Sequence, residues 1–72
     1  MISFNDCIKG EKTVEEVLNK HGYTAGMMGK FADQGFKDAR FMSYMGYISE
    51  EEAQTIANRI VAKIGTYIRE VE

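Results

Sequence analysis

Three times along this chain a glycine is followed at once by an aromatic residue, at Gly22-Tyr23, Gly35-Phe36 and Gly46-Tyr47. Each time the residue five positions before the aromatic is apolar: Leu18, Phe31 and Met42. A glycine takes the left-handed backbone just past a helix end without a Cβ clash, and the next residue folds back onto the last turn. The spacing therefore predicts three helix stops. A chain punctuated in this way is all-α: a small bundle of three to five helices, the last of them long and amphipathic.

At 72 residues the chain is read as one domain, residues 1–72, near the lower limit for burying a core without disulfides or metals. Its one cysteine, Cys7, forms no intrachain disulfide and belongs to no CxxC or Cys/His cluster, which argues for a reducing compartment and against structural zinc. The first residues lack a basic stretch leading into an apolar run, and no segment approaches membrane-spanning length. The expectation is a soluble cytoplasmic protein with no membrane partner.

The net charge of −2 is unevenly spread. Residues 1–16 and 49–72 are acidic, whereas the middle carries Lys20, Lys30, Lys37 and Arg40 against Asp33 and Asp38. A basic middle between acidic ends falls short of the clear Lys/Arg excess on which binding to a nucleic-acid backbone rests.

Along the chain, Ser3 and Asp6 predict a first short turn over residues 4–9, closed near Gly10, with Phe4 and Ile8 on one side. Thr13 and Glu16 form a capping box for a helix from Val14 to Lys20 whose inner face is Val14, Val17 and Leu18. Thr24 caps a third helix, Ala25 to Gln34, with Met28, Phe31 and Ala32 inward. Gly26 and Gly29 weaken it by roughly 1 kcal/mol each relative to alanine. A fourth helix, Lys37 to Met45, offers Phe41, Met42 and Met45 to the core, with one kinked helix over 24–45 as the alternative. Ser49 and Glu52 box the last helix, whose stripe of Ala53, Ile56, Ala57, Ile60, Val61, Ile64, Tyr67, Ile68 and Val71 runs for about 33 Å at 1.5 Å per residue. The preceding helices are short, so part of this stripe is expected to overhang them. That makes residues 53–71 a candidate homodimer seam.

Few residues suggest chemistry. His21 has no serine, cysteine or carboxylate at a catalytic or metal-binding spacing and is read as a helix-end residue leaning on the carbonyl dipole. Cys7 sits beside Asp6, which raises a thiol pKa, so it is read as a small packed side chain. Met28 and Met42 are assigned to the core, while Met27 and Met45 are left open as core or contact residues. Tyr23, Phe36 and Tyr47 are assigned to helix-end packing, and Glu50, Glu51 and Glu52 to the positive end of the last helix dipole. No catalytic, metal or cofactor site is expected, and an enzyme is the least favoured class.

Residues 13–32 read Thr-Val-Glu-Glu-Val-Leu-Asn-Lys-His-Gly-Tyr-Thr-Ala-Gly-Met-Met-Gly-Lys-Phe-Ala. This stretch resembles the helix-turn-helix of bacterial and phage transcription regulators: Thr13 opens the first helix, Gly22 ends it, Tyr23 follows as the apolar residue, and Thr24 caps the second helix. Val17, Met28 and Phe31 take the positions that lock the pair. The resemblance implies a transcription-associated regulator. It departs from the pattern at Leu18, where a small residue is usual, and on the would-be reading face of Thr24, Ala25, Gly26, Gly29, Lys30 and Asp33, which has few paired donors for base edges.

The sequence reading is thus a small non-enzymatic regulator, similar in kind to phage-encoded effectors that redirect host machinery. Its contact residues are Thr24, Met27, Lys30, Lys37 and Arg40, and its expected partner is a protein of the transcription machinery. A dimeric DNA-binding repressor and a helical assembly module are the alternatives.

Overall fold

The computed structural model describes residues 2–23 and 25–71, the side chain of Ala25 excepted. Within them lie four α-helices: α1 (Asn5–Ile8), α2 (Val14–His21), α3 (Met28–Tyr44) and α4 (Glu50–Val71), with a 3-10 turn, Ala25–Met27, leading into α3. No strand occurs among the described residues. The all-α class and the long terminal helix are as the sequence predicts; the Thr24 cap lies outside the described residues.

Helix ends are set by local chemistry. At α2 the Thr13 hydroxyl accepts from the Glu16 amide at 3.2 Å. At α4 the box is reciprocal: the Ser49 hydroxyl accepts from the Glu52 amide at 3.1 Å, and the Glu52 carboxylate accepts from the Ser49 amide at 3.2 Å. Two glycines close helices in the left-handed region. After α1, at Gly10 (φ 79°), the Glu11 amide donates to the Asp6 carbonyl at 2.8 Å and the Gly10 amide to Cys7 at 3.2 Å. After α3, at Gly46 (φ 84°), the Tyr47 amide donates to Met42 and the Gly46 amide to Ser43, both at 3.0 Å. These paired bonds are the six-to-one and five-to-two pattern of a Schellman closure.

The turn at Gly46 reverses the chain, so α3 and α4 pack antiparallel. Ala39 lies against Ala53 and Ala57, Gly35 against Ile60, and Phe31 in one cluster with Ile60, Ile64 and Ile68. The other elements dress this hairpin. The N-terminal segment inserts Phe4, fully buried, and brings Ile2 and Ile8 with it, while α2 adds Val14 and Leu18 to the main cluster and packs chiefly on α4. The body measures 36 × 18 × 18 Å, about the length of α4 by two helix diameters.

One buried carboxylate ties the layers together. Asp38, on the inner face of α3, accepts the Phe4 amide on Oδ2 at 2.7 Å and the Gln34 side-chain amide on Oδ1 at 2.8 Å. The backbone donor at the head of α1 is thereby satisfied inside the protein, and both carboxylate oxygens have a partner, as a buried charge requires. A second tie joins α4 to α2, where the Tyr67 hydroxyl donates to the Asn19 side-chain carbonyl and the Tyr67 ring packs on Tyr23 at 5.4 Å between centroids.

The structure corrects four sequence expectations. Gly35 is no helix stop: α3 runs through it from Met28 to Tyr44, so of the two readings of residues 24–45, two short helices or one, the single helix is found, led in by the 3-10 turn. The glycine is there for proximity, since a Cβ at this position would lie 3.1 Å from Cγ2 of Ile60. Continuity fixes the phase of the whole helix, with Phe31, Gly35, Asp38, Ala39 and Met42 inward, and so Phe41 and Met45 turn outward instead of into the core. Phe36 and Tyr47 likewise stay exposed and do not pack a helix end. Finally, the apolar stripe of α4 does not overhang: Ala53, Ala57, Ile60, Ile64 and Ile68 are all buried within the chain, and only Val71 at its tip is exposed. Of the seam expected along residues 53–71, Ile56, Val61 and Tyr67 are left half-buried and Val71 exposed.

Candidate functional site

The exposed large apolar side chains concentrate at one end of the molecule. Phe36 (38% exposed), Phe41 (53%), Tyr44 (88%), Met45 (55%) and Tyr47 (67%) all fall in the second half of α3 and the turn after it. Scattered surface apolar residues are ordinary, but five in twelve consecutive residues are a concentration that the packing of the core does not account for.

Helical geometry divides this region into two surfaces. Lys30, Lys37 and Phe41, spaced by seven and four, lie along one crest of α3 with Met45 one turn beyond Phe41. Phe36, Arg40 and Tyr44, spaced by fours, lie on the adjoining flank, with Arg40 three residues after Lys37 and Tyr44 three after Phe41. That flank forms one wall of a groove of about 450 Å³; Glu50 and Gln54 of α4 stand on the other wall, and Ala39, Ala53 and Ala57 form the floor. The floor exists because three alanines let α3 and α4 approach closely while leaving no side chains to fill the cleft above.

The five contact residues read from the sequence are thus not one patch. Lys30 and Lys37 share the crest, and Arg40 stands about 60° around the helix from Lys37, at the groove. Met27 is half-buried against the main core, so it does not stand free. Thr24 lies outside the described residues. Lys37 pairs with Asp33 one turn earlier at 3.0 Å, whereas Lys30 and Arg40 enter no ion pair among the described residues. The charge available on this side of α3 comes chiefly from Lys30 and Arg40, separated by ten residues.

The helix-turn-helix hairpin expected over residues 13–32 is not confirmed: α2 and α3 each lean on α4 and barely on each other. Their meeting point is an edge-on contact of the His21 and Phe31 rings, with centroids 5.7 Å apart and an 82° interplanar angle. His21 itself is exposed at the end of α2. It borders a second shallow groove shared with Ile2, Asp6, Lys12 and Glu16, where the nearest ion pair, Lys12 to Asp6, spans 3.8 Å at the surface. No group of three or more potential metal ligands converges anywhere among the described residues.

Cys7 is half-buried against the main core. Burial first, and then the carboxylates of Asp6, Glu15, Glu16 and Asp38, push its thiol up to about 11. At neutral pH almost none of it is thiolate, the form a nucleophile or metal ligand needs.

The chain matches no family model, no curated protein and no solved structure. The reading of its surface therefore rests on its own residues. Those the sequence analysis missed are Phe41, Tyr44 and Phe36 as surface groups, and Asp38 as a core tie. The signal for all four is the phase of a single helix: 31, 35, 38 and 42 are spaced four, three and four, which puts a carboxylate on the apolar stripe and leaves 36, 41 and 44 off it.

Among the described residues no helix is long and apolar enough to cross a membrane.

Proposed function

We propose that this chain is a non-enzymatic binding module that recognises another protein through the crest of α3. The observation that carries the reading is Phe41: a large aromatic side chain, more than half exposed in the last turn of α3, with Met45 one turn after it and Lys37 one turn before it. Aromatic and methionine side chains beside cations are the composition of contact surfaces between proteins. Asp33, one turn before Lys37 and paired with it, works against a phosphate backbone at the same place.

The narrower proposal, a regulator whose partner belongs to the transcription machinery of the cell or of a host, draws on the resemblance of residues 13–32 to regulator hairpins. In that reading the protein acts in the cytoplasm and works by steric or conformational means, with α4 organising the fold and α3 presenting the contact. It needs no cofactor.

The test is affinity capture from a bacterial lysate, with and without nuclease, comparing the native chain with the pair Lys30→Glu and Phe41→Ser. Both positions are exposed, so the fold is expected to survive. Recovery of one protein complex that resists nuclease and is lost in the double variant supports the reading. Recovery abolished by nuclease, together with a salt-sensitive shift of mixed-sequence duplex DNA, transfers the function to nucleic acid. Capture that ignores the two substitutions removes the crest from the account.

A further inference from the structure

The N-terminal segment is fastened to the rest of the molecule at one polar point. We infer that residues 2–12 form an exchangeable strap: the segment lifts off as a unit while α2, α3 and α4 stay packed, and the slot it vacates accepts a peptide of the same pattern, an apolar residue followed two places later by an aromatic one, from another chain.

Among the described residues the other hydrogen bonds of this segment close within it. The amides of Ile8, Lys9, Gly10, Glu11 and Lys12 donate to carbonyls between Phe4 and Cys7, and the Asn5 amide donates to the Ser3 hydroxyl. Its ion pair, Lys12 with Asp6, is internal as well. The Phe4 amide on Asp38 at 2.7 Å is the single bond that crosses to the body. The remaining attachment is apolar and narrow: Ile2 and Phe4 are buried with Ser3 exposed between them, and no residue of α1 itself is fully buried.

Lys9 to Thr13, which join the segment to α2, are all exposed, so they can swing without breaking any packing. Asn5 Oδ1 is buried without a hydrogen-bond partner among the described residues, a desolvation cost borne only while the strap is closed. The body keeps a core of its own when the strap leaves, because Val14, Leu18, Phe31, Ile60, Ile64 and Ile68 belong to one cluster across α2, α3 and α4. Segments held by few apolar side chains open at lower free energy than the core they cover.

The vacated slot has a defined shape and chemistry. Its floor is Gly35, where an added Cβ would lie 3.1 Å from Ile60 and 4.0 Å from Cδ2 of Phe4, so the ring enters where α3 has no side chain. Its rim is Asp38, whose Oδ2 faces the amide of the residue that supplies the ring. A buried carboxylate that loses this donor needs another, and an incoming peptide supplies it from the backbone of its own aromatic residue. Ile2-Ser3-Phe4 is thus the template for the ligand. The slot lies on the inner face of α3 with Gly35 and Asp38, whereas Lys30 and Phe41 are exposed on the crest, so the two proposals can fail separately.

Hydrogen exchange by NMR on the full chain, across urea concentrations below unfolding, tests the opening. Corrected for intrinsic rates, the Phe4 amide is expected to exchange at least about tenfold faster than those of Ile60 and Ile64, with a weaker urea dependence because less surface is uncovered. Tyr67→Phe, which cuts the tie from α4 to α2, should accelerate Ile64 and leave Phe4 unchanged. Exchange of the strap is tested with Phe4→Ala, whose helicity by circular dichroism should survive because the body holds itself. Titrated to about 2 mM with a synthetic peptide of residues 2–12 carrying Cys7→Ser, this variant should bind it, with chemical-shift changes at Gly35, Asp38 and Ile60; about millimolar is the effective concentration that a short tether supplies. The same peptide with Phe4→Ala should not bind. A Phe4 amide that shares the rate and urea slope of Ile64, a Phe4→Ala chain that unfolds, or a slot that ignores the peptide would each overturn the inference.

Discussion

Replacing Asp38 should cost this domain more than replacing any other charged residue, and the structure sets the size of the loss. Its carboxylate accepts the Phe4 amide at 2.7 Å and the Gln34 side chain at 2.8 Å. Hydrogen bonds to a charged acceptor are each worth about 1.5–3 kcal/mol net. Asp38→Ala loses both, but Gln34 is only part-buried and regains water, so most of the penalty comes from the Phe4 amide left without a partner beside a fully buried ring. The expected loss is about 2–4 kcal/mol. For a domain of this size each kcal/mol moves the melting temperature by about 4–8 °C, so the midpoint should fall by roughly 10–25 °C. Asp38→Asn keeps an acceptor for Phe4 while surrendering the charge, and should fall by about 1 kcal/mol. Thermal unfolding followed by circular dichroism measures both variants, and amide exchange at Phe4 reports whether the N-terminal segment comes loose first. If Asp38→Ala melts within about 3 °C of the native chain, or if asparagine is as damaging as alanine, the carboxylate is not the tie described here.

Two further perturbations follow from packing and protonation. Gly35→Val places a branched side chain where a single Cβ already lies 3.1 Å from Ile60, and overpacking should destabilise by about 1–3 kcal/mol in denaturant titration despite the better helix propensity of valine. Cys7 has a folded-state pKa raised from 9.0 to about 11. The protonated thiol is thus favoured by folding, and its contribution to stability is fully present below pH 9 and lost as the pH climbs toward 11. Alkylation at pH 8 should accordingly run roughly ten- to a hundredfold slower in the native protein than in denaturant, as measured by mass spectrometry.

Much of the fold was legible because its signals are local. The capping residues at Thr13, Ser49 and Glu52 and the glycines at 10 and 46 act within one turn of helix, and they do in the structure what their spacing implies. The isoleucine stripe of α4 is legible for a similar reason, since a period sustained over 22 residues admits one reading. Gly35 was not, because a glycine before an aromatic looks the same whether it ends a helix or lets a neighbour approach. What decides is Ile60, twenty-five residues away. A stop at Gly35 would reset the helical phase after that position, turn Phe41 into the core and leave Asp38 among the surface charges. The candidate site suffered most, since a contact surface is by construction what the core pattern leaves over. Lys30, Lys37 and Arg40 were found by charge, but their division between a crest and a groove depends on where α4 lies.

α3 is one helix in one phase, so that Phe31 faces the core while Phe41 is kept for the surface. That phase is tested most directly by comparing the unfolding free energies of Phe31→Ala and Phe41→Ala in the same buffer. Phe31, almost fully buried, should lose about 3–5 kcal/mol, enough to unfold a marginal domain, whereas Phe41 should stay within about 0.5–1 kcal/mol of the native value. Comparable losses at the two positions would mean that Phe41 belongs to the core and that the surface described here does not exist.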